Sequence, residues 1–198
     1  RAATLLLLLS IAFMCAACED ASEKASKAQT PSASGIVYAS TKDIRDINPH
    51  LYGGEMAAQG MVFESLVINT KEGVKPWLAT SWDISEDGTT YTFHLRENVF
   101  FTDGTAFDAE AVRLNIEAVL ANRLRHAWLD LVNEISSCEV VDKHTVRLTL
   151  AHPYYPTLVE LGLVRPFRFI SPKCFKEGGT AKGVTALVGT GPWILREH

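Results

Sequence analysis

The 198-residue sequence predicts a mixed α+β or α/β body. Three observations carry that expectation. Two stretches alternate apolar and polar residues around a turn, as paired strands do. Between them runs a segment with helical apolar periodicity. No internal repeat or low-complexity tract interrupts them, so a layered domain is expected rather than a solenoid. A content of 47% hydrophobic and 21% charged residues is that of a globular protein able to bury a sizeable core, in one or two domains. The net charge of -4 and the lack of a long basic run argue against a nucleic-acid partner.

The N-terminus reads as an address. "RAATLLLLLSIAFMCAACED" has one cation and then an apolar run from Leu5 to Met14. That run is shorter than the ~20 residues a membrane span needs and fits a secretory signal. Ala16 and Ala17 before Cys18 resemble the lipobox of bacterial lipoproteins, although Cys15 stands where Leu is usual. Residues 1–18 are therefore expected to be a lipoprotein signal with Cys18 lipidated, an ordinary cleaved signal being the alternative. Residues 19–35, "EDASEKASKAQTPSASG", hold no large apolar side chain and read as a tether. Together they predict a body anchored in the cell envelope, outside the cytoplasmic membrane. A start at Arg1 and a stop at "WILREH" suggest a piece of a longer protein.

The body, 36–198, then reads in order. "GIVYAST" from Gly35 is β-branched and aromatic, hence a strand. "EMAAQGMVFESLV" has the apolar spacing of a helix over residues 55–67. "TSWDISEDGTTYTFHL" is a hairpin turning at "EDG", with Tyr91, Phe93 and Leu95 on one face and Thr90, Thr92 and His94 on the other. "FDAEAVRLNIEAVLAN" is a helix capped by Asp108, with Ala111, Val112, Ile116, Val119 and Leu120 along one side. "CEVVDKHTVRLTLA" is a second hairpin turning near Asp142 and Lys143, and "YYPTLVELGLV" a short helix.

No catalytic constellation emerges: GxSxG, HExxH, P-loop and GxGxxG are all missing, which shifts weight from enzyme toward binding protein. The six histidines lack ligand spacing, and Cys138 and Cys174 belong to no zinc motif. Those two cysteines are either a disulfide or buried thiols.

"KPWLATSWDISEDGTTYTFHLRENVFFTDGTAFDAEAV", Lys75 to Val112, and "GTGPWIL", Gly189 to Leu195, resemble the family 5 solute-binding proteins of ABC importers. The resemblance implies a periplasmic-binding-protein-like two-lobe fold that closes around cargo. This chain would supply most of the first lobe, with an inserted subdomain over roughly residues 70–182. It also implies a monomer that is not an enzyme, carries no cofactor, and serves ABC permease and ATPase subunits. "INPHLYGGEMAAQGMVFESL", "NRLRHAWLDL" and "YYPTLVELGLVRPFRFISP" resemble the nickel and nickel-metallophore branch in particular. The expected cargo is thus Ni²⁺ or a Ni²⁺ chelate, with dipeptides or oligopeptides as the alternative.

A chelate presents carboxylates, which the planar fork of arginine binds in pairs. On the resemblance, Arg125 and Arg165 face the cargo, Trp128 forms an aromatic wall, and Met56 and Tyr52 line the pocket. Each has a plainer reading: a helix-end cation for Arg125, a surface ion pair for Arg165, core packing for Trp128 and Met56. His50 and His126 are not expected to ligate metal, and no metal ligand is expected within this chain.

Overall fold

The computed structural model describes Thr41, Ile44 and residues 46–51 and 53–196. The signal with Cys18, the tether, the strand predicted from Gly35 and Tyr52 lie outside the described residues.

The first helix, α1 (Met56–Val62), begins where the Glu55 carboxylate accepts a hydrogen bond from Ala58 N at 3.0 Å. It stops five residues short of the predicted end, because Phe63 is already extended. The apolar residues Leu66 and Val67, whose spacing mimics one more helical turn, instead lead into an antiparallel hairpin of β1 (Val67–Thr70) and β2 (Gly73–Pro76). Gly73 follows the turn with positive φ, a conformation that glycine adopts without cost.

The first predicted hairpin is present as β3 (Ala79–Ile84) and β4 (Thr90–Leu95), pairing Trp82 with Phe93. Tyr91, Phe93 and Leu95 are buried while Thr90, Thr92 and His94 are only partly covered, as the alternation requires. Asp87 organises the turn by accepting hydrogen bonds from Ser85 Oγ and Thr89 N. Helix α2 (Ala109–Ala121) carries the expected cap, Asp108 accepting from Ala111 N at 2.9 Å. Ala111, Val112, Ile116 and Val119 are buried, and Leu120 packs at the core's edge. The opposite side carries Arg113, paired with Glu110 and Glu117.

A tight turn, a short helix α3 (Leu131–Glu134) and the second hairpin follow. Strands β5 (Ile135–Asp142) and β6 (Thr145–Leu150) complete a four-stranded antiparallel sheet in the order β3-β4-β6-β5. Helix α2 packs against β5 and β6, so its apolar side and the sheet's buried face share one core. Helix α4 (Thr157–Leu161) and a small hairpin of β7 (Phe175–Lys176) and β8 (Gly179–Val184) follow. Cys138 and Cys174 are free and buried; burial pushes the Cys138 thiol up to about 12.

A second core joins Ile47, Val62, Phe63, Ile170 and Cys174, with Leu187 and Leu195 packed on it. The segment after β8 is laid against the end of α1, Gly191 N donating to Val62 O at 3.0 Å. A side chain at Gly189 would overlap Val62 O, and one at Gly191 would put its Cβ 2.5 Å from Met61 O. Both glycines in "GTGPWIL" are therefore required by close backbone approach.

Candidate functional site

Among the described residues, Met56, Trp128, Leu163, Val164 and Arg165 converge on a cavity of about 340 Å³. They come from three separated segments. Met56 opens α1, Trp128 follows the turn Arg123–His126 that ends α2, and Leu163 to Arg165 follow α4. Met56 is 48% exposed and Trp128 50%, so neither is a core residue. Arg165 is half-buried; its Nη1 donates to Gly53 O at 3.0 Å, and its peptide bond to Pro166 is cis. The cavity thus has a mostly apolar lining with a guanidinium at its wall, a combination suited to a flat group with a charged end. A larger cavity of about 690 Å³ lies between Asp46 and Arg196, but among the described residues no aromatic side chain lines it and none of the predicted ones reaches it.

Of the predicted site residues, the structure brings together Met56, Trp128 and Arg165. Arg125 is not among the lining residues: the tight turn buries His126 and leaves Leu124 and Arg125 exposed. Leu163 and Val164 line the cavity without having been singled out, although they run directly into Arg165-Pro166. Among the described residues, no three or more His, Cys, Asp or Glu side chains group to hold a metal ion.

His50 and His126 are buried, and each is tied to backbone. His126 Nε2 donates to His50 O at 2.9 Å. His50 Nε2 donates to Arg168 O at 2.7 Å, and its Nδ1 accepts from the Thr180 hydroxyl at 3.1 Å. A carbonyl can only accept, so both rings carry the proton on Nε2. Burial holds the His50 pKa down at about 4. His126 is also lowered, first by burial and then by the charges of Arg165 and Arg125. Both guanidinium groups therefore act on one imidazole, although Arg125 lies outside the lining.

Arg168 belongs to this buried set. Its Nε donates to Leu163 O at 3.0 Å and its Nη1 to Phe63 O at 3.1 Å. Asn115 completes the anchoring by accepting from Ile170 N and donating to Ile170 O. A further link crosses between two cavity segments. Glu160 accepts from Leu131 N at 3.0 Å and from the Tyr154 hydroxyl at 2.6 Å.

The profile for bacterial extracellular solute-binding proteins, family 5, matches residues 73–198. The chain belongs to this family. Its α/β body is part of the two-lobe periplasmic-binding-protein fold seen in solved members. The family is one of solute-binding proteins and not of enzymes.

Among family 5 relatives, the nickel-binding periplasmic protein of Escherichia coli K12 is 50% identical over 176 residues, covering 83% of this chain and 34% of the relative. The glutathione-binding protein GsiB of the same strain is 36% identical over 124 residues, covering 62% of this chain and 23% of that protein. The solved structure of NikA from Brucella suis in complex with Fe(III)-EDTA superposes with a TM-score of 0.77 at 56% identity, covering 79% of this chain and 32% of NikA. The chain thus spans about a third or less of the length of these relatives.

Proposed function

We propose that this family 5 chain supplies one wall of the cargo site in a binding protein that captures nickel as a carboxylate-bearing chelate for an ABC importer. The observation that carries the reading is the convergence of Met56, Trp128 and Arg165 on one cavity. The half-exposed indole offers a flat apolar face. Arg165 offers a charge that cannot be lost by titration, and Arg125 adds longer-range attraction for carboxylate groups. Each charge-assisted hydrogen bond from arginine to a chelate carboxylate contributes ~1.5–3 kcal/mol. The metal stays wrapped in its chelator, so this wall needs no metal ligand of its own. Nickel is favoured as cargo by the 50% identity to a nickel-binding protein, against 36% over a shorter span to a glutathione-binding one.

On this reading the protein is anchored through Cys18 outside the cytoplasmic membrane, works as a monomer without a resident cofactor, and hands cargo to permease and ATPase subunits. A second reading keeps the fold and changes the cargo to a short peptide, as the glutathione-binding relative suggests. Calorimetric titration of the full-length protein with Ni²⁺, Ni²⁺ plus L-histidine, and glutathione separates the two. Heat only with the Ni²⁺–histidine mixture supports the chelate reading. Tight binding of glutathione with no response to metal would transfer the cavity to peptide capture.

A further inference from the structure

The cavity is built from chain segments far apart in sequence, and their spacing must be fixed for Trp128 and Arg165 to grip one ligand. We propose that Glu160 is a positioning residue that sets this spacing and thereby the outline of chelate the cavity accepts. The proposal rests on the reading of the cavity as the cargo site.

Glu160 stands in α4, and its backbone oxygen accepts at 3.2 Å from the N of Leu163, itself a wall residue beside Val164 and Arg165. Its side chain accepts from the amide of Leu131, the first residue of α3. That amide is one of the donors a helix start leaves unpaired. Asp130, an ordinary capping residue in the local position, makes no side-chain cap bond. The cap is supplied instead from α4, across the fold. The segment so held leads back through Leu129, whose N donates to His126 O at 2.9 Å, and thus runs past Trp128.

Tyr154 fixes the other carboxylate oxygen at 2.6 Å. With both oxygens engaged, the carboxylate cannot rotate without breaking one bond. The Tyr154 hydroxyl is held in its protonated form, its pKa raised first by the bond to Glu160 and then by burial. One carboxylate therefore joins the segment carrying Trp128 to the segment carrying Arg165, without itself lining the cavity.

The test uses the full-length protein as wild type, Glu160→Ala and Glu160→Gln, with Ni²⁺–histidine and Fe(III)-EDTA as probes of different outline. Glutamine keeps an oxygen for Leu131 N and an amide for Tyr154, so it should bind within about threefold of wild type. Alanine should weaken Ni²⁺–histidine by about tenfold or more and change the ratio of the two affinities. Equal loss for both probes, in proportion to the fraction unfolded by circular dichroism, would reduce Glu160 to a stability residue and overturn the proposal. So would a glutamine variant as impaired as alanine.

If the wild type binds neither probe, the cargo reading fails on its own, and Trp128 decides the role of Glu160. Its emission is isolated as the difference between each protein and its Trp128→Phe counterpart. A shifted spectrum in folded Glu160→Ala, restored in Glu160→Gln, upholds the positioning role. An unchanged spectrum refutes it.

Discussion

Arg165 and Arg168 belong to one short string, "RPFRF", yet they occupy two regions of different character. Arg165 is half-buried at the wall of the cavity, beside a tryptophan and a methionine that are each about half exposed. Arg168 is 9% exposed and donates to the carbonyls of Phe63 and Leu163, while its own carbonyl accepts from His50. Both side chains are cations of the same shape. What separates them is the surrounding backbone: behind the cavity, loops with no sheet or helix to join satisfy their carbonyls on buried polar side chains. Residue type alone therefore does not announce a role here. Burial and the cavity beside the side chain do.

The sharpest way to test that division is to remove Arg168. Arg168→Met keeps the volume but leaves two carbonyls without donors, and should cost about 4 kcal/mol, roughly 2 for each. Urea denaturation of the full-length protein measures it. A loss below about 1 kcal/mol would mean that water replaces the guanidinium and the buried latch is not structural.

Acid should act on the same region. The unfolded chain protonates His50 near its ordinary pKa of 6.5, whereas the folded protein resists until about 4. The contribution is thus fully present above pH 6.5 and is lost as pH falls from 6.5 toward about 4. Its size is ~3 kcal/mol, with the lowered His126 acting in the same direction. Denaturation midpoints across that range should fall steeply in the wild type and less steeply in His50→Gln. Parallel curves would remove His50 from the account.

The smallest stability effect belongs to the wall. Arg165→Ala loses the bond to Gly53 O and should cost less stability than Arg168→Met, while weakening Ni²⁺–histidine by about tenfold or more. Arg125→Ala should weaken it less, and by an amount that fades with added salt. Parallel denaturation and calorimetry on both variants check the split. An Arg165 variant that unfolds readily but binds normally would erase the contrast with Arg168.

The sheet was legible because its signals are local. Tyr91, Phe93 and Leu95 alternate with polar residues, and Asp108 stands where a cap must stand. The β1–β2 hairpin was not legible, because Leu66 and Val67 continue the spacing of α1 and only the extended backbone at Phe63 ends the helix. Its strands are four residues each, too short to establish a period of their own. The cavity was legible only in part. Met56, Trp128 and Arg165 were named from resemblance, but nothing in their spacing says that irregular segments bring them together. Glu160 carried no signal at all, since the amide that it caps belongs to another helix.

Gly189 and Gly191 show how far a residue can be constrained by backbone approach alone. Val62 O and Met61 O fill the space where their side chains would begin. A saturation scan would therefore score both positions as severely as any ligand contact, and a comparison of homologous sequences would find them equally invariant. For the "GTGPWIL" segment, such intolerance would record the crowding of two backbones rather than a chemical task.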